Sequence, residues 1–211
     1  MERFPKTLVL VLGLLCAVCV SCVDSDNPLS DPKQATVDAG LLGVWRASEK
    51  EGGVTYYHVG KAGDQFPEGM LRVRTVVHDK NGELDRPNGD ETIMFTTTLG
   101  KNHYVNVTVL DAEAVKALGG KWDPAKTEGY FIYKYEIDGD KLMVATIDPD
   151  QKKAAIKAGK VNGKSKDAGD DPHFTDSTEN LARFIASPDG DKIFFTKENP
   201  GEGYVALERV K

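Results

Sequence analysis

The chain predicts a mainly β protein: an antiparallel barrel of about eight to nine strands carrying three short helices, with a β-sandwich as the alternative. Three observations predict it. First, short runs at 41–48, 54–59, 70–78, 91–98, 103–110, 130–137, 141–147, 192–196 and 204–210 alternate in polarity or are rich in β-branched residues. Second, the alternation is one-faced. It sets Leu71, Val73, Thr75 and Val77 against Arg72, Arg74 and His78, and Val105, Val107 and Val109 against Tyr104, Asn106 and Thr108. Such strands suit a sheet with one wet side. Third, turn dipeptides punctuate the runs at Asn81-Gly82, Asn88-Gly89, Asp138-Gly139, Asp189-Gly190 and Pro200-Gly201, and Asp138-Gly139 falls between two adjoining runs.

The helices are marked by their ends. Asp111 is placed to cap a helix over 112–118, with Gly119 just beyond it. Asp148, Pro149 and Gln151 form an N-cap, first-turn proline and capping-box partner for a helix ending near Ala158 and Gly159. Asp176 and Glu179 form a further capping box, followed by the apolar stripe Leu181, Phe184 and Ile185, which reads as core packing. Between the last two helices, residues 152–171 carry Lys152, Lys153, Lys157, Lys160, Lys164 and Lys166 followed by Asp167, Asp170 and Asp171. Neighbouring opposite charge without interleaved aromatics reads as a solvated loop.

The first residues carry a different signal. Arg3 and Lys6 precede an apolar run at 8–20 that closes on Ser21 and Cys22. A charged start, an apolar middle and a small-residue boundary define a secretory signal over 1–21, too short for the roughly 18–20 residues that cross a bilayer. Val18-Cys19-Val20-Ser21-Cys22 resembles the lipobox of bacterial lipoproteins, with Cys19 where that family most often has Leu. The resemblance implies lipid attachment at Cys22, a membrane partner reached through that lipid, and a place in the cell envelope. Because Val23 rather than Asp follows the cysteine, it further implies the outer membrane, facing the periplasm, in an organism that has one. An ordinary signal cut after Ser21 removes the same segment and leaves Cys22 as a free thiol. Residues 22–39, polar and holding Pro28 and Pro32, read as a flexible spacer, with a single domain over 40–211.

Cys16, Cys19 and Cys22 all lie in or at the edge of the signal. The domain therefore offers no disulfide, zinc–thiolate or thiol nucleophile. The whole chain of 211 residues has a formal charge of −6, and loss of Arg3 and Lys6 against Glu2 makes the mature form more acidic. That balance argues against nucleic-acid binding. His58, His78, His103 and His173 are scattered without metal spacing, and no nucleophile elbow, phosphate loop or dinucleotide fingerprint is present. No catalytic residue, metal site or cofactor is assigned. Asn106-Val107-Thr108 matches a glycosylation acceptor, but its strand position makes it a chance match.

Leu41-Leu42-Gly43-Val44-Trp45, opening the first strand, resembles the Gly-x-Trp signature of lipocalin-like, calycin-type barrels. The resemblance covers the chain ends and the strand count. It implies that Trp45 closes the base of the barrel against a basic residue of the last strand, for which Arg209 is placed. The helices inserted late in the chain depart from that family. On the barrel reading, alternation nominates Val73, Val77, Ile93, Phe95, Val105, Val107, Phe131, Tyr133 and Tyr135 for the inner face, with Phe95, Phe131, Tyr133 and Tyr135 as the aromatic lining of a ligand space. The expected function is binding of a small apolar or amphipathic ligand by a lipid-anchored barrel. The alternatives are a structural or interaction lipoprotein with a filled interior, meeting a protein partner that the sequence does not identify, and, last, a hydrolytic enzyme.

Overall fold

Alternating runs joined by short turns pair most simply with their neighbours in sequence, because each turn brings the next run alongside the last. The computed structural model, which describes residues 23–49, 52–85, 90–110, 122, 127–164, 172–198 and 203–211, follows that rule. Strands β1 (Gly43–Ser48), β2 (Val54–Lys61), β3 (Met70–His78), β4 (Asp90–Leu99), β5 (Asn102–Leu110), β6 (Thr127–Asp138) and β7 (Lys141–Ala145) form an antiparallel meander. After an excursion the last strand, β10 (Tyr204–Arg209), inserts between β7 and β1 and closes an eight-stranded barrel. The sandwich alternative is not adopted. Closure pairs the first strand with the last, so neither is left as a free edge.

The excursion holds helix α1 (Pro149–Lys157), a two-stranded ribbon of β8 (Gly163–Lys164) and β9 (His173–Phe174), and helices α2 (Thr178–Ile185) and α3 (Pro188–Asp191). Asp148 caps α1 as expected, its carboxylate accepting from the Asp150 and Gln151 amides. The cap of α2 is Ser177 rather than Asp176, whose carboxylate instead accepts from the Asn162 amide and side chain. Helix α3 starts at Pro188, and a proline fits the first turn, where no amide donor is needed. The helix expected over 112–118 lies outside the described residues. The run at 192–196 is not a barrel strand. It makes one bridge, Ile147↔Phe194, because β7 leaves the barrel wall after Ala145 and both segments turn into a second core.

Three apolar clusters result, two of them large. One contains Trp45, Tyr57, Leu71, Met94, Val105, Tyr133, Leu142 and Leu207, a residue from each of the eight barrel strands, and is therefore the interior. The other lies outside the wall, where Tyr104 and Ile132 meet Phe174, Leu181, Phe184 and Ile185 from the excursion. Strand β5 is thus buried on both faces, with Tyr104 and Asn106 as covered as Val105 and Val107.

Residues 23–42 are a packed strap, which corrects the spacer reading. Ser25 bridges β6 at Tyr130 and β9 at Phe174. Leu29 donates its amide to buried Asn106 Oδ1 (2.8 Å), and Ser30 Oγ lies 2.6 Å from Thr97 Oγ1. The polarity that suggested a spacer comes from side chains that bind the wall, so composition alone misled.

Candidate functional site: the barrel interior and its two ends

One end of the barrel carries the starts of β1, β3, β5 and β7, the two-residue turns at 100–101 and 139–140, and the chain terminus. Here Trp45 sits fully buried opposite Arg209 in register, with the guanidinium carbon 4.1 Å from the ring centroid. The single-turn helix Ala39–Leu41 lies across this end. Arg209 Nη1 donates to the Leu42 carbonyl (2.7 Å) and Nη2 to the Gly40 carbonyl (2.5 Å), and Trp45 Nε1 donates to the Leu41 carbonyl (2.8 Å). Gly43, at φ 121°, would bring a Cβ to 3.1 Å from Arg209 Nη1, so both conformation and space call for glycine there. Asp38 completes the seal: Oδ1 accepts from the Gly40 amide and Oδ2 from the Tyr135 hydroxyl (2.7 Å). Burial, then the hydrogen bond to Asp38 and its charge, push the Tyr135 phenol far above its ordinary range, so it stays a donor.

Residues directly opposite across strands share a face, which traces the lining from this seal. Trp45 stands opposite Tyr57 and Tyr57 opposite Thr75; Val73 faces Thr92; Leu71, Met94, Val107 and Phe131 follow one another across four strands. Tyr133 and Tyr135 also point inward, the former fully enclosed with its phenol raised mainly by burial. The rings of Phe131 and Tyr133 lie nearly parallel, 19° apart in plane with centroids at 6.4 Å.

The same register corrects two nominated residues. Ile93 stands opposite Arg72 and Thr108, and Phe95 opposite Met70 and Asn106, all on the outer face. Phe95 is buried there with Phe66, Met70 and Tyr130 in a third cluster. In β4 it is Met94 that enters the interior, flanked by Thr92 and Thr96; the more apolar face of this strand points out, under the β2–β3 connection and the strap.

Burial is mixed along the interior: Phe131, Val77, Val144 and Val205 toward the far end point inward and are partly exposed, as are Val59 and Ile137 at the sealed end, whereas Trp45, Leu71, Met94 and Leu142, and Ala47, Thr55 and Thr75 farther along, are buried. Thr75 Oγ1 and Thr92 Oγ1 are buried and have no hydrogen-bond partner among the described residues. Sequence reasoning missed Tyr57, Thr75 and Thr92 as lining groups, although the period-2 pattern of β2 and β3 holds all but Thr92. This far end carries the ends of β1, β3, β5 and β7 and the starts of β2, β4, β6 and β10.

The strap meets the barrel at the seam where β6 runs on past β7. The Asp24 and Ser25 amides both donate to the Tyr130 carbonyl, and Asp24 Oδ2 accepts from the Ile132 amide (2.9 Å). Asp24 Oδ1 pairs with Lys152 Nζ of α1 at 2.6 Å, with side chains 12% and 5% exposed, and the ammonium lies 5.9 Å from the Phe174 ring. His173 Nε2 lies 2.6 Å from Asp26 Oδ1. Cys22, the expected lipid attachment residue, lies outside the described residues. No grouping of His, Cys, Asp and Glu able to hold a metal occurs among the described residues. Compared with protein-family models, curated proteins and solved structures, the chain finds no match.

Proposed function

We propose that this protein is a lipid-anchored envelope lipoprotein, tethered through Cys22, whose lipocalin-like barrel binds a small apolar or amphipathic ligand. The observation that carries the binding reading is a pair of buried, unpartnered hydroxyls on the inner wall of a barrel sealed at one end. Trp45, Arg209 and Asp38 form the seal, and beyond it Thr75 Oγ1 and Thr92 Oγ1 have no partner among the described residues, while inward-facing Phe131, Val77, Val144 and Val205 are partly exposed. Buried hydroxyls are normally satisfied. An apolar wall with a few convergent polar groups is the usual composition of a small-molecule site. A surface-interaction role would call for an exposed apolar patch. The described residues expose only Leu84 and Val210 among large apolar side chains, which favours binding inside over docking outside.

The test is titration of the folded domain with an environment-sensitive apolar dye, such as phenylnaphthylamine, in the native protein and in the double variant Val144→Phe/Val205→Phe. The native protein is expected to give saturable fluorescence enhancement displaced by long-chain alcohols. The variant fills the far half of the interior and is expected to lose that signal while retaining a cooperative melt. No saturable signal from the native protein, or equal binding by both, overturns the reading.

A further inference from the structure

We infer that the barrel rests with its far end directly against the bilayer and takes a neutral, bilayer-resident amphiphile from the membrane into its interior. This rests on the tether and the binding site proposed above, and adds where the ligand comes from and what chemistry it has.

Val23 is the first described residue after the tether. The Val23 side chain packs against Gly129, the third residue of β6: a Cβ at Gly129 would meet Val23 Cγ2 at 2.9 Å. His173 Nδ1 lies 3.3 Å from the Val23 carbonyl. The next two residues are bound to Tyr130 through their amides, and Asp24 is buried against Lys152. Gly129 stands opposite Val109, next to the last residue of β5, which places it at the far end of the barrel. Adjacent Cα atoms are about 3.8 Å apart, so a lipid on Cys22 begins within one residue of that rim. There is no spacer to let the domain drift away. The sealed end, by contrast, is roughly 30 Å along β6 at about 3.3 Å per residue.

The surface around the tether suits lipid headgroups. Lys153 and Lys157 lie on α1 beside the buried Lys152, and Lys164 stands in register with His173. None of the three has an ion-pair partner among the described residues, and with exposed Glu128 and Asp150 nearby on β6 and α1 they give phosphate groups cationic contacts on a mixed-charge surface. The solvated-loop reading of this lysine run accounts for its exposure; position beside the tether adds a target. Within the barrel, the described polar groups along the lining between Trp45 and the rim are hydroxyls from Thr55, Tyr57, Thr75, Thr92 and Tyr133; at the rim Thr55 donates to the Glu49 carboxylate, and Asp90 stands opposite Thr75. Thr75 and Thr92 present hydroxyls that a ligand hydroxyl or carbonyl would satisfy, and with the Glu49 carboxylate at the rim and no cation among the described lining residues beyond the seal, a fatty acid anion is disfavoured.

The full lipid-modified chain, carrying a fluorophore at an introduced Glu128→Cys or Lys101→Cys, would be reconstituted in phosphatidylethanolamine–phosphatidylglycerol vesicles containing a headgroup-nitroxide lipid. Quenching is expected at position 128 and not at 101. A flexible Gly-Ser linker inserted between Cys22 and Val23 is expected to abolish the quenching without altering the melting temperature. A pyrene-labelled fatty alcohol preloaded in the vesicles should be taken up quickly by the native chain and much more slowly by the linker form. Equal or reversed quenching at the two sites overturns the placement, as does a chain that does not stay on vesicles at all, which removes the tether. Quenching at 128 with equal uptake by both forms overturns the membrane route but leaves the binding site standing. Quenching without uptake by either form overturns both the route and the binding site.

Discussion

Arg209 shows how much one side chain near the terminus does. Its guanidinium covers the Trp45 ring and donates to two carbonyls of the residues that cross the barrel end. A lysine offers neither the flat face nor two donors held in a fork. Arg209→Lys is therefore expected to destabilise by about 1–2 kcal/mol, from one lost hydrogen bond and the lost stacking. Trp45→Ala, which empties a fully buried site, should cost about 3–5 kcal/mol. Denaturant unfolding of both variants checks the order, and an unchanged midpoint for Trp45→Ala would contradict the role of the seal. These residues were legible because Gly-x-Trp and a late basic residue sit at recognisable places. Phe95 was misplaced for a residue-scale reason: β4 reads Ile-Met-Phe across 93–95, and with three consecutive apolar side chains the parity of the strand has no marker in sequence.

At the scale of elements, the strap and the excursion lock each other. The pair Asp24–Lys152 joins the strap to α1 with little solvent, and removing one partner leaves the other buried without its counter-charge. Lys152→Met is expected to cost about 3–5 kcal/mol, and Asp24→Asn/Lys152→Met to recover part of that loss. A double variant no better than the single one would show that the amide acceptor role of Asp24 toward Ile132 matters more than its charge. Asp176 ties the segment before β8 to the start of α2. Burial raises its pKa, but hydrogen bonds from the Asn162 amide and side chain, from Asn180 and from the Ser177 amide outweigh this and hold it below the ordinary carboxylate range. Its contribution is thus fully present above the unfolded value near 4 and is lost as pH falls through the lower folded value. Native protein should lose stability from about pH 4 downward more steeply than Asp176→Asn, as measured by melting temperature against pH. Asp148 was read correctly because a cap followed by proline is a local signal. The strap was not, since its partners Asn106, Tyr130 and Lys152 lie far away in sequence.

For the whole molecule, closure is the decisive event. Trp45↔Arg209 and Arg46↔Glu208 are the register pairs that join the first strand to the last. Truncation after Leu207 removes both, and the shortened chain is expected to lose its cooperative thermal transition and expose apolar surface to dye. A sharp melt near that of the full chain would show that the other seven strands hold without closure. The alternating runs, turn dipeptides and capped helices determined by themselves that this chain is a meander of strands broken late by helices, because those signals act over a few residues. Tertiary structure alone decided that the polar residues after Cys22 form a strap, that Phe95 faces outward while Met94 faces in, and that β5 is covered on both sides. Each of these depends on which distant segment lies over a given face, and a face acquires its meaning only from what packs against it.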